Sequence, residues 1–175
     1  MLSLLRLGDI ILSVPALAAL RAAHRDCEIH LLVNQSFVNI AKLIPSVDHV
    51  IGFDREMMQQ GLVEADRALF EPFDRLNAFI SELNEHKYNS VVNLTQNRFS
   101  GYLSSLVNAE NHLGLSLNSK GQASFGTLWF RYLNDVVGAG AKSIFHYADL
   151  FKYGSAEAPE LERAPLLRET PAGRA

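Results

Sequence analysis

Apolar residues in this chain fall into short continuous runs, separated by longer stretches in which they recur every three or four positions. The opening, MLSLLRLGDIILSVPALAALRAA, predicts a buried strand over Leu2 to Leu7, a tight turn at Gly8-Asp9, and a helix carrying Ile10, Ile11, Val14, Leu17 and Ala18. EIHLLV (Glu28 to Val33) predicts a second strand. Asn34-Gln35-Ser36 then cap a helix through Phe37, Ile40, Ala41 and Ile44, which Pro45 stops. HVIGF (His49 to Phe53) is a third strand, closed by Asp54-Arg55. From Pro72 the helical spacing returns through Phe73, Leu76, Phe79, Ile80 and Leu83 and ends over Asn84 to Lys87. SVVNL (Ser90 to Leu94) is a fourth strand, followed by a helix at Ser100 to Val107 capped by Ser100, and HLGL (His112 to Leu115) is a fifth. Strand and helix alternating at this pitch predict an α/β fold with a parallel sheet and right-handed crossovers.

Other stretches are less regular. Glu56 to Leu69, with Met57, Met58, Leu62 and Val63 around Gly61, reads as an insertion near the working edge of the sheet, either a loop or a short amphipathic helix. Asn118 to Gly126 reads as a Gly/Ser/Asn loop, and Trp129, Phe130 and Tyr132 after it as core or docking surface. Ser143 to Tyr153 has helical spacing through Ile144, Tyr147, Ala148 and Phe151, with His146 and Asp149 as a surface pair. Beyond Gly154, three of the six prolines and few large apolar residues mark a linker or tail. The expected organisation is one domain over 1–153 and a tail over 154–175.

Composition narrows the function classes. With 175 residues, 48% hydrophobic and 20% charged, the chain has material for one full core. A net charge of -3 gives no basic excess, which argues against nucleic acid as the main partner. Cys27 is alone, so neither a disulfide framework nor a cysteine zinc site is expected, in keeping with a reducing cytoplasm. No apolar run approaches the roughly 20 residues of a membrane-spanning helix. A secretory signal peptide fits poorly, because Asp9 splits the first apolar region.

Candidate chemistry gathers at two turns. Asp9 is placed beyond the carboxyl end of the first strand, where open α/β sheets hold their ligands. It reads either as a functional carboxylate or as an ordinary helix cap. A dinucleotide turn is disfavoured, since only Gly8 is present of the three glycines needed and a carboxylate there repels phosphate. At the second turn, Asn93, Thr95, Gln96, Asn97 and Arg98 can hydrogen-bond a polyhydroxylated ligand, with Arg98 pairing a phosphate or carboxylate, or they simply satisfy turn backbone. The six histidines show no metal-ligand pair at i, i+4 with a partner acid. There is no P-loop, and Ser3 and Ser13 lack the glycine pattern of a nucleophile elbow.

The combination of Gly8-Asp9, Pro15-Ala16-Leu17, the strand IHLLV and the stretch VDHVIGFDR resembles the opening of the family 9 glycosyltransferases, the heptosyltransferases of lipopolysaccharide core assembly. Weaker matches through YNSVVNLTQN and HYADLF extend the resemblance over Met1 to Tyr153. It implies a Rossmann-like parallel sheet with helices on both faces, equivalent to the amino-terminal, acceptor-side half of the two-lobed GT-B architecture. It also implies a donor-binding half, absent from this sequence, that takes a nucleotide-sugar, commonly ADP-heptose.

Asp9 matches the family's acidic residue proposed as general base for an inverting, metal-independent transfer without a cofactor. Substrate-binding candidates are Arg6, Gly8, Thr95, Gln96, Arg98 and Lys120, with Arg6, Arg98 and Lys120 chosen by position to hold anionic groups of a phosphorylated acceptor. The implied partners are a lipid-linked saccharide acceptor and a donor-binding domain or partner chain. The implied setting is cytoplasmic, with peripheral contact at the inner membrane and self-association through the uncovered cleft wall left open. Two other readings stand beside this one. The first is a non-catalytic binding or scaffold module that kept the fold, and the second is a flavodoxin-like nucleotide-binding protein.

Overall fold

The computed structural model describes residues 1–59, 70–140 and 142–155. The first strand is shorter than its apolar run. β1 is Leu2–Ser3, and α1 begins at Leu7 (Leu7–Ala23). Ladder pairing is lost after Ser3 because the Leu4 N–H is taken by a side chain, the Thr95 Oγ1 at 2.9 Å. Arg6 is still extended, and its carbonyl accepts from Asp9 N at 3.1 Å, so Gly8 and Asp9 form the first turn of the helix and not a separate turn.

β2 is His30–Asn34. The Asn34 side chain accepts from Ser36 N at 3.0 Å, starting a single 3-10 turn, Gln35–Phe37, that leads into α2 (Val38–Ala41). The fully buried Ile44 follows in the turn ahead of Pro45. β3 is His49–Phe53, as the pattern indicates, and Asp54 caps α3 (Arg55–Gln59) by accepting from Met57 N at 2.9 Å. Most of the insertion expected over Glu56 to Leu69 lies outside the described residues.

α4 is Phe70–Glu85, starting two residues before Pro72. Its buried stripe runs through Pro72, Leu76, Ile80 and Leu83, which leaves Phe73, expected in the core, 61% exposed. β4 is Ser90–Asn93 and α5 is Arg98–Leu106. The cap of α5 is Asn97, whose Oδ1 accepts from Ser100 N at 2.8 Å, and not Ser100 itself. β5 is Asn111–Gly114. The expected loop after it is a hairpin of β6 (Ser116–Leu117) and β7 (Ala123–Ser124), with Asn118 Oδ1 organising the tip by accepting from Lys120 N and Gln122 N. α6 is Leu128–Ala139, capped by Thr127, and α7 is Tyr147–Ser155. Ile144 precedes α7 and is 84% exposed, and His146 accepts from Ala148 N through Nδ1 in place of the expected pairing with Asp149. Gly154 and Ser155 are buried within α7, two residues past the expected domain end, and the tail over 156–175 lies outside the described residues.

Among the described residues β1 to β5 form one parallel sheet in the order β3-β2-β1-β4-β5. α1 and α2 cover one face through Ile10, Val14, Leu17, Ala41 and Ile44, whereas α4 and α5 cover the other through Ile80, Leu83 and Leu103. The chain therefore winds outward from β1 on one face, returns to β4, and winds outward again on the opposite face. That reversal, at the carboxyl ends of β1 and β4, is the switch point at which open α/β sheets bind their ligands.

α6 and α7 complete the first face, where Phe130, Leu133, Leu150 and Phe151 pack on Val92, Leu94 and Ala16. Close approach is possible because α1 presents the alanines 16, 18 and 19, and because α7 presents Gly154, where an added Cβ would lie 2.8 Å from the Phe130 ring. Phe130 is wholly buried at this junction. Phe130→Ala is expected to cost about 3–5 kcal/mol, read as a lower urea midpoint at unchanged m-value.

Candidate functional site

The candidate site, at the carboxyl ends of β1 and β4, is built from backbone outward. Leu94 N donates to Leu2 O at 3.0 Å, and one residue further on Leu4 N donates to Thr95 Oγ1, so the two strand ends are tied together. A buried amide network fixes the β4 side. Asn93 Oδ1 accepts from Thr95 N at 2.9 Å, while Asn93 Nδ2 donates to Leu115 O at 2.7 Å and to Ser100 Oγ at 3.1 Å. The Ser100 hydroxyl in turn donates to Thr95 O at 2.5 Å. Gly114, at φ +82, admits this arrangement, since a Cβ there would lie 1.9 Å from Asn93 O.

Each candidate side chain has a definite place in this frame. Asp9 is half-buried in the first turn of α1, directly after the central strand. Its carboxylate has no hydrogen-bond or ionic partner among the described residues, and α1 has no side-chain cap, so the ordinary capping role is not what Asp9 performs. Gly8 beside it is exposed, and a Cβ there would meet nothing within 4 Å, so the helix mouth stands on an open rim. Arg6 is exposed at the same mouth.

The β4 side divides into committed and free groups. The Thr95 hydroxyl is buried and bound to Leu4 N, so it serves as floor and does not present itself to a ligand. Gln96 is different, because both polar atoms of its amide are shielded and have no hydrogen-bond partner among the described residues. A buried amide left unpaired is costly, and such groups are usually satisfied by protein or by ordered water. Arg98 is exposed and lies along Tyr102, to whose hydroxyl it donates at 3.3 Å. The hairpin tip reaches the same corner. A Cβ on Gly121 would stand 3.3 Å from Tyr102 Oη and 3.6 Å from Arg98 Nη2, which brings the neighbouring Lys120 into the vicinity of Arg98.

A charged cluster at the other end of the sheet was not visible as a sequence motif. Glu28, His30 and His49 converge at the amino ends of β2 and β3, beside a cavity of about 580 Å³ lined in part by Glu28, His30, His86 and Tyr88. Burial pushes His30 below the ordinary histidine range, and hydrogen bonding from His30 and then His49 holds Glu28 below the usual carboxylate range. The available signal was the Glu-x-His alternation of one strand followed by a histidine opening the next.

No protein-family model and no curated protein matches this sequence. Solved structures do. The chain is similar to the E. coli heptosyltransferase WaaC with ADP, at TM-score 0.59 and 17% identity over 90% of this chain and 47% of that one. Against WaaC with ADP-2-deoxy-2-fluoro heptose the TM-score is 0.63, at 15% identity over 93% of this chain and 51% of that one. A family 9 glycosyl transferase from Veillonella parvula gives TM-score 0.60 and 21% identity, over 87% of this chain and 39% of that one. The chain shares the Rossmann-like α/β fold of part of each of these structures. It spans about half the length, or less, of the solved structures it matches, and at these identities the likeness concerns the Rossmann-like α/β fold.

Replacing Thr95 by Val removes the acceptor of the buried Leu4 N–H while keeping the shape. We expect a loss of about 1–3 kcal/mol in denaturant unfolding, with a smaller loss for Thr95→Ser, which retains the hydroxyl.

Proposed function

We propose that this chain is the acceptor-side half of a heptosyltransferase-like glycosyltransferase, with Asp9 as general base. The observation that carries the reading is a carboxylate without a partner among the described residues, in the first helical turn after the central strand, at the point where the sheet's winding reverses. The resemblance of Gly8-Asp9 and the following segments to family 9, together with the fold likeness to WaaC, supports the same assignment.

In the proposed reaction the acceptor hydroxyl gives its proton to the Asp9 carboxylate as its oxygen attacks the anomeric carbon of the donor. The bond from that carbon to the nucleoside diphosphate breaks, and its electron pair leaves with the diphosphate. Inversion at the carbon follows from a single displacement. A carboxylate on an open rim is surrounded by water, and a covering lobe would exclude that water from the reacting hydroxyl. Asp9 on its open rim is therefore expected to act efficiently only when a donor-binding lobe or partner chain closes over it. The Gln96 amide, shielded and without a partner among the described residues, would reach a hydroxyl of the acceptor sugar by turning outward. Arg6, Arg98 and Lys120 supply positive charge for phosphate groups on a lipid-linked acceptor, with Arg98 released from Tyr102 to do so.

The test is transfer from ADP-heptose to a lipid A type acceptor, using this chain alone and mixed with a donor-binding lobe. Product is expected in the mixture, and Asp9→Asn is expected to lower its rate by about 10²–10⁴-fold with the circular dichroism spectrum unchanged. Product formed equally well by Asp9→Asn would remove the base assignment. No product under either condition would favour the non-catalytic module, and co-purification of a flavin or nicotinamide would favour the nucleotide-binding reading.

A further inference from the structure

We propose that Glu28, His30 and His49 form a binding site for a divalent transition-metal ion, zinc in the first instance, at the amino edge of the sheet. The site is independent of the proposed transfer chemistry, which lies at the opposite ends of the strands.

Strand geometry makes the three side chains converge. Residues two apart on an extended chain point the same way, so Glu28 and His30 share a face. His30 and His49 are register partners on the parallel neighbours β2 and β3, which places their imidazoles side by side with ring centroids 4.7 Å apart. Glu28 Oε1 lies 2.5 Å from His49 Nε2 and 3.4 Å from His30 Nε2. The three prospective ligand atoms all fall within 4.8 Å of one another. Zinc with bonds near 2.0–2.1 Å in a tetrahedron needs ligand atoms about 3.3 Å apart, so closing the set takes side-chain adjustment of roughly an ångström. Two of the three ligands, Glu28 and His49, are exposed and free to make it.

The surroundings match a metal site better than a surface ion pair. His30, the buried member, has its other ring nitrogen 2.9 Å from Tyr88 Oη. A metal-ligating histidine is held in this way, its second nitrogen fixed by an outer partner that sets the tautomer. Two imidazoles and one carboxylate form a zinc donor set that leaves a fourth position for water. Because Glu28 and His30 also line the 580 Å³ cavity, that position opens toward it. Cys27 does not belong to the set. It alternates to the other side of the chain and packs against the cluster of Ile29 and Leu31 under α1.

The experiment is titration of the full chain with Zn2+ by calorimetry and with Co2+ by visible spectroscopy. One ion per chain is expected, with Co2+ bands of tetrahedral intensity and a thermal midpoint that rises by several degrees under excess Zn2+. His49→Gln and Glu28→Gln, both at exposed positions, are expected to abolish the bands and the midpoint rise while the metal-free midpoint stays close to that of the parent. Tyr88→Phe is expected to weaken binding by about tenfold, in line with outer-partner effects of roughly 10–100-fold. Cys27→Ser is expected to change nothing. Absence of Zn2+ binding by the parent chain would overturn the proposal. Binding that survives both His49→Gln and Glu28→Gln, or that is lost with Cys27→Ser, would overturn it as well.

Discussion

The switch point of the sheet depends on a hydrogen bond from Leu4 N to Thr95 Oγ1. β1 contributes only Leu2 and Ser3 to the sheet, yet it is the strand from which the chain winds in both directions. A strand so short would ordinarily release its next backbone groups to solvent. Here the first N–H past the ladder is captured by a side chain from β4, and Thr95 is itself fixed by Asn93, which is fixed by Ser100 and Leu115. Ending β1 early lets the chain turn at Arg6 and start α1 by Leu7, which sets Asp9 close above the sheet. The placement of the carboxylate thus follows from polar bonds on the neighbouring strand and not from apolar packing alone.

The parallel sheet was legible because its signal is hydrophobic periodicity, which depends on near neighbours in sequence. β3 matches HVIGF residue for residue, and the four longer strands all lie within a residue or two of their apolar runs. The start of α1 was misread for a definite reason. LSLLRL is continuous in apolar character, and nothing in it reveals that Leu4 will leave the ladder for a threonine ninety-one positions away. The cap of α5 was misassigned by three residues, since Asn97 and Ser100 are both cap-forming types and only the bond from Ser100 N to Asn97 Oδ1 decides between them. The β6–β7 hairpin was taken for a loop because two-residue strands carry no periodicity, and its tip is set by one asparagine side chain.

Candidate site residues divided along a similar line. Asp9, Gln96 and Arg98 stand out in the sequence by position at strand ends, and the fold puts them after the carboxyl ends of the neighbouring strands β1 and β4. Thr95 stands out for the same reason, but its hydroxyl turns inward. Sequence cannot separate these cases, because a short polar side chain at a strand end serves equally well as floor or as contact. What separates them is whether the polar atom has a partner in the fold, as Thr95 Oγ1 has and the Gln96 amide lacks among the described residues.

The two ends of a parallel sheet also offer different chemistry, and that difference supports the division of roles drawn here. Beyond the carboxyl ends stand helix N-termini such as that of α1, whose free N–H groups favour oxygen-rich and anionic ligands. At the amino ends stand helix C-termini, with partial negative charge on their carbonyls. α1 ends at Ala23 and α4 at Glu85, and the residues that follow them, His24 and His86, both line the cavity beside Glu28 and His30. The backbone there favours a cation, as does Glu28, whereas Lys87 on the same cavity wall opposes one. Parallel strands in register also bring equivalent positions within about 5 Å, so two histidines opposite one another form half of a coordination set without any loop to position them. The proposed sugar ligand at one edge and the proposed metal ion at the other each sit at the end of the sheet whose helix termini suit them.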